Sequence, residues 1–111
     1  MRIVKLFFLT GTLLILLACG KPVPPEKSSY VGDWQSPNMS LKITQDGNVV
    51  YHRVRDNATT SIDAPIKDFI GNDFEVGIGS ITTTFVVSSL PHQEDGVWKM
   101  TVDGVTLSKA Q

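Results

Sequence analysis

Residues 39–55 read Met39-Ser40-Leu41-Lys42-Ile43-Thr44-Gln45-Asp46-Gly47-Asn48-Val49-Val50-Tyr51-His52-Arg53-Val54-Arg55. Met39, Leu41 and Ile43 alternate with Ser40, Lys42 and Thr44, the period-two pattern of a strand with one buried face. Asp46-Gly47 supplies a turn, and Val49 to Arg55 resumes as a strand, so the whole reads as a β-hairpin. The same pattern continues. Asp56-Asn57 marks a turn, and Thr59 to Ile66 is a third strand with Ile62, Ala64 and Ile66 on one face. Pro65 demotes part of that strand to an edge or a bulge. After Gly71-Asn72-Asp73, residues Phe74, Val76 and Ile78 share one face of a fourth strand. Gly77 and Gly79 lie opposite, which predicts a bend or a close backbone approach. Ile81, Thr83, Phe85 and Val87 alternate in a fifth strand, and Trp98, Met100 and Val102 in a sixth. Asp103-Gly104 turns the chain, and Val105 and Leu107 end the last strand. Pro91 to Gly96 reads as a polar loop. Any helix is confined to a short turn around Asp68 to Ile70.

Six or seven short strands joined by tight turns predict an all-β fold, a small antiparallel meander that forms a barrel or a strongly curved sheet. Closure is favoured because it removes exposed strand edges.

The chain of 111 residues begins differently. Arg2 and Lys5 precede an apolar run, Leu6 to Leu17, that is shorter than the roughly 20 residues a spanning helix needs. A basic start, a short apolar stretch and a small residue at its end make an export signal. That stretch ends in Leu16-Leu17-Ala18-Cys19. This tetrapeptide resembles the lipobox of bacterial lipoproteins. The resemblance implies cleavage between Ala18 and Cys19 and covalent lipid, palmitate included, on Cys19. It makes residues 1–18 a signal peptide and the membrane a partner through the anchor. Gly20 after the Cys implies the outer membrane of a Gram-negative bacterium, with the domain facing the periplasm. Two or three acyl chains hold stably where one holds weakly. Cys19 is the only cysteine, so the domain has no disulfide of its own.

Gly20 to Ser29 contains three prolines and two lysines, and residues 19–29 read as an extended tether reaching roughly 30 Å at about 3.1 Å per residue. Residues 30–111 are then a single β-domain. Setting aside Arg2 and Lys5 leaves eight basic residues against eleven acidic ones, a formal balance of about −3. That balance disfavours nucleic acid, which selects a basic stripe.

Tyr30-Val31-Gly32-Asp33-Trp34 contains Gly-x-Trp just before the first strand. This resembles the opening motif of lipocalin-like barrels, in which the Trp plugs one end and the Gly lets the chain pass closely. The resemblance implies a barrel with Trp34 at its end. Trp34, Phe74, Phe85, Trp98 and Met100 are either its filled core or the lining of a cavity for a small apolar ligand. Tyr51, Arg53 and Arg55 share one strand face, with His52 and Val54 on the other. That face is either a contact surface for a partner or a solvated face tied by cross-strand salt bridges. Thr82, Thr84, Val86 and Ser88 form a polar face or an edge that accepts an added strand.

No spacing of histidines or cysteines suits a metal, and His92 with Glu94 and Asp95 reads as a solvated loop. No Gly-x-Ser-x-Gly elbow or other catalytic motif is present. The sequence therefore points to a non-catalytic envelope lipoprotein without a cofactor beyond the lipid on Cys19. Its β-domain binds an envelope protein or other envelope component. The rival readings are a carrier of a small apolar ligand, and a lysozyme-type hydrolase inhibitor inserting the Pro91 to Gly96 loop.

Overall fold

Two-residue turns set the architecture. Asp56-Asn57, Asp95-Gly96 and Asp103-Gly104 each have positive φ at both positions. This is the turn geometry whose twist matches paired strands, and it favours Asp, Asn and Gly. In a computed structural model that describes residues 21–110, these and similar turns join nine antiparallel strands. They are β1 (Gly32–Ser36), β2 (Met39–Ile43), β3 (Asn48–Arg55), β4 (Ala58–Ile70), β5 (Asp73–Ile78), β6 (Ile81–Phe85), β7 (Val87–Glu94), β8 (Val97–Val102) and β9 (Val105–Lys109). The all-β antiparallel class is as the sequence predicts, with more strands than six or seven. Gly32–Ser36 is itself a strand, paired with β2 and β9.

Two further expectations are corrected. Asp68 to Ile70 is not a helical turn but the end of the 13-residue β4, bulged between Ile66 and Asp68. Pro91 to Gly96 is not a loop, because β7 runs to Glu94 and only Asp95-Gly96 turns.

The strand order is β6-β5-β4-β3-β2-β1-β9-β8-β7. The sheet's two edges, β6 and β7, are successive in the chain and separated by Val86 alone. In effect one strand pairs with β5 up to Phe85 and with β8 from Val87 onward. The sheet must curl to allow this, and the result is a half-barrel. Two carboxylates hold the corner. Asp73 accepts the Val87 N–H at 2.8 Å and Asp103 accepts the Val86 N–H at 2.8 Å. The Asp103 N–H in turn reaches the Val86 carbonyl at 2.8 Å.

The concave side is packed with Trp34, Leu41, Ile43, Val49, Ile66, Phe74, Val76, Phe85, Met100, Val102 and Leu107, all almost fully buried. Burying each large side chain contributes roughly 1.5–3 kcal/mol. Aromatic rings run through this core. Tyr51 meets Phe85 edge-on at 4.9 Å, Phe85 stacks on Phe74 at 5.1 Å, and Tyr30 meets Phe74 at 6.2 Å.

The tether expectation is also corrected for the residues described. The stretch from Lys21 to Ser29 is docked rather than free. Val23 is buried and exchanges two 3.0 Å hydrogen bonds with Gln45. The Lys21 carbonyl crosses Gly47 so closely that a Cβ there would lie 1.9 Å from it. Pro25–Tyr30 forms a 3₁₀ helix, with Pro at its first position, where a missing N–H costs nothing. Lys27 donates to the Gly71 carbonyl at 2.7 Å and the Tyr30 hydroxyl to that of Asn72 at 2.8 Å. Prolines cannot donate to a ladder, but Val23 and Tyr30 supply the apolar groups that cover this end of the half-barrel.

Removing the corner acceptor tests this account. Asp73→Ala strands a part-buried amide and should lower the unfolding free energy by about 1–3 kcal/mol in urea titration. Asp73→Asn, which keeps an acceptor oxygen, should recover most of that loss. Equal stability of Asp73→Ala and the parent would show that the corner does not depend on this bond.

Candidate functional site

The β3–β4 hairpin decides which side chains face the concavity. Along β3, Val49 and Tyr51 are buried while Val50 and His52 are exposed, so the odd-numbered residues point inward. Tyr51, Arg53 and Arg55 do share a face, but it is the inner one. Tyr51 is 6% exposed and belongs to the core. Arg53 is half-buried and Arg55 exposed, where the same face emerges at the mouth of the half-barrel.

Two concavities meet at these arginines. One, of about 290 Å³, is lined by Tyr51, Arg53, Arg55, Ala58, Thr60 and Asp103. The other, of about 480 Å³, brings Arg53 and Arg55 together with Asn38, Met39, Asp56 and Thr106. Among the described residues, neither guanidinium forms an ion pair. Cross-strand salt bridges therefore do not account for this face. Asp103 is occupied at the corner, and Asp56 sits in the turn at φ 45°. The mouth presents two forked donor groups that suit a carboxylate or a phosphate.

The residues named as core or cavity lining divide. Trp34, Phe74, Phe85 and Met100 are 0–1% exposed and pack with the other inward side chains. Trp98 is half-buried and packs against this cluster. Trp34 closes the end beneath the 3₁₀ helix, donating its indole N–H to the Tyr30 carbonyl at 2.9 Å. The Lys109 ammonium lies 4.9 Å from the Trp34 ring and 5.3 Å from the Trp98 ring, and donates to the Ser29 carbonyl at 3.2 Å. Burial lowers the Lys109 pKa. Gly32 makes room for the stem of Lys109, since a Cβ there would lie 2.9 Å from Cε.

A third concavity was not foreseen. β4 pairs with β5 only from Ile66 onward, whereas β3 holds β4 back to Ala58. Strand β4 and the β5–β6 hairpin therefore splay apart. The cleft between them, about 470 Å³, is lined by Ser61, Ile62, Ala64, Val76, Gly77, Ile78, Ile81 and Thr83. Ile78 and Ile81 are 72% and 82% exposed, the most exposed large apolar side chains described. Two sequence features lie at this place without themselves predicting a cleft. Pro65 interrupts the third strand, and isoleucines flank the Gly79-Ser80 turn. Thr82 and Thr84 lie on the exposed edge strand β6, Val86 at the corner and Ser88 on β7.

Among the described residues, no three His, Cys, Asp or Glu side chains are placed to hold a metal. Ala18 and Cys19 lie outside the described residues. Compared with known proteins, the chain matches no family model, no curated protein and no solved structure.

His92 and Glu94 are paired on the surface of β7. The imidazole sits 2.7 Å from both the Leu90 carbonyl and a Glu94 carboxylate oxygen. Two acceptors favour the doubly protonated ring. The bond to Leu90, then that to Glu94, raises the His92 pKa, and the bond to His92 lowers that of Glu94. The pair's small contribution is therefore full between the ordinary glutamate and ordinary histidine pKa values and declines outside that window towards the shifted ones. It is lost as pH rises through the raised His92 pKa or falls through the lowered Glu94 pKa. A proton-NMR titration should find His92 above the ordinary histidine range, with Glu94→Gln moving it downward. A midpoint indifferent to that substitution would remove Glu94 as a cause.

Proposed function

We propose that this chain is an exported, lipid-anchored protein of the cell envelope whose β-domain is a non-catalytic binding module. Its contact surface is the mouth around Arg53 and Arg55, and it recognises an anionic group on an envelope partner. The observation that carries this reading is the pair of arginines at the mouth, unpaired among the described residues and set in concave surroundings. Desolvated arginine contacts dominate binding energies where they are buried by a partner. The lipobox resemblance at Leu16 to Cys19 supports the anchor, and Gly20 supports the outer membrane with the domain facing the periplasm.

The rival carrier reading needs a place for an apolar ligand. Trp34, Phe74, Phe85 and Met100 pack with one another, so the cleft between β4 and the β5–β6 hairpin is the surface left to it. An inhibitor reading through Pro91 to Gly96 has only a two-residue turn to insert.

Two experiments test the proposal. Metabolic labelling with palmitate should mark the protein and leave Cys19→Ala unlabelled, and label on that variant would overturn the anchor. In-cell crosslinking of the full-length protein should give a defined adduct that Arg53→Glu with Arg55→Glu abolishes while membrane attachment persists. Identical adducts with and without the arginines would overturn the mouth as contact surface.

A further inference from the structure

The hairpin register shows which backbone groups of β4 are committed. The Asp56-Asn57 turn makes Arg55 and Ala58 the closing pair of the β3–β4 hairpin, and hydrogen-bonded pairs then alternate along the ladder. Arg53 with Thr60, Tyr51 with Ile62 and Val49 with Ala64 are therefore hydrogen-bonded pairs. The intervening residues Thr59, Ser61 and Asp63 turn their N–H and C=O groups away from β3, into the cleft. Among the described residues no strand meets them there, because pairing with β5 starts at Ile66. Pro65 falls in the same outward-facing set and has no N–H to extend that pairing.

Three features thus coincide in one place. An open strand edge of three residues borders an apolar cleft formed by Ile62, Ala64, Val76, Ile78 and Ile81. On the same concave face, the cross-strand partner of Thr60 is Arg53, which lines the neighbouring recess with Arg55. Successive inward positions on any strand laid beside β4 are two residues apart.

We propose that the cleft between β4 and the β5–β6 hairpin binds an extended peptide segment of a protein partner by strand addition to Thr59–Asp63. The segment carries an apolar residue opposite Ile62 and an acidic residue opposite Thr60. The apolar residue covers Ile78 and Ile81. The acidic residue reaches the Arg53 and Arg55 recess. Main-chain hydrogen bonds to Thr59, Ser61 and Asp63 supply sequence-independent affinity, and the two inward side chains supply selectivity. Guanidinium groups unpaired among the described residues on one side and exposed isoleucines on the other choose an acidic, apolar strand over a basic one. This rests on the reading of Arg53 and Arg55 as a contact surface and adds the geometry of the partner.

The test uses full-length protein in nanodiscs to select from a displayed library of random heptapeptides. Enriched peptides should show an apolar and an acidic residue two positions apart. The tightest is then synthesised with a single N-methyl group at each position in turn. Methylation should weaken binding by about tenfold or more at alternate positions only, those whose N–H faces β4. Arg53→Gln should weaken it by about tenfold, and Ile81→Lys should do the same from the apolar side. A flat N-methyl scan with the arginine dependence intact overturns strand addition and leaves the arginine mouth as a contact surface. An alternating scan without arginine dependence keeps strand addition and removes the acidic partner. No enriched peptide, or enrichment that Ile81→Lys leaves unchanged, overturns the cleft as a peptide site. Loss of the peptide to added phospholipid monomers would assign the cleft to lipid instead.

Discussion

One strand serves two halves of the sheet. The run from Ile81 to Glu94 pairs with β5 before Val86 and with β8 after it, and the amides on either side of the change are held by Asp73 and Asp103. A sheet whose two edges are consecutive in the chain cannot lie flat. It must curl until those edges meet at a single residue. That curl turns Phe85 and Val87 inward together, places Phe85 between Phe74 and Tyr51, and brings the Asp103 turn across from Arg53 and Arg55. The core, the corner and the arginine recess are consequences of the same bend.

The curl leaves a defect, and its cause is chemical. Pro65 occupies a position whose backbone faces β5, yet it has no donor to offer. Two residues later the bulge at Lys67 shifts the register. Pairing between β4 and β5 therefore stops at Ile66 and Val76, and the β5–β6 hairpin projects beyond its support. Lys67 reaches across to the hairpin tip, donating to the Gly79 carbonyl. Exposed edges are normally protected by charge, proline or a covering segment. Here proline ends the pairing instead, and the edge beside it carries Thr59, Ser61 and Asp63 next to exposed isoleucines.

These two features were unequally legible in the sequence. Alternation at Met39 to Ile43 and at Trp98 to Val102, with Asp-Gly and Asp-Asn turns, specifies local geometry within a few residues, so the strands and hairpins could be read directly. Alternation assigns residues to two faces but does not say which face is inside. For β3 one face held Tyr51 and two arginines, and the polar ends concealed that Val49 and Tyr51 belong to the core. The docked segment at Lys21 to Ser29 was hidden by its prolines, which look the same in a free tether and in a strap. What separates the two is a pair of apolar anchors, Val23 and Tyr30, and a glycine at position 47 that leaves no room for a side chain under the Lys21 carbonyl. Those are long-range relations, and no window of neighbouring residues contains them. The splayed cleft was beyond reach for the same reason, since Pro65 signalled a disturbed strand without saying what the opening would face.

The docked strap also changes what an anchor at Cys19 would do. A free segment of ten residues would let the domain stand roughly 30 Å from the headgroups. With Lys21 already against Gly47, only Gly20 would separate the lipidated residue from the folded domain, and at most about 3.3–3.6 Å is gained per residue. The end of the half-barrel formed by the strap and the β2–β3 loop would then lie against the bilayer. Arg53 and Arg55 sit on β3 at the opposite end from Asn48, where that strand leaves the β2–β3 loop. At about 3.3 Å of rise per residue, the seven steps from Asn48 to Arg55 carry the mouth roughly 20 Å along the strand from the strap end. With such an anchor, the proposed contact surface would lie at that distal end, and the strap would hold it there.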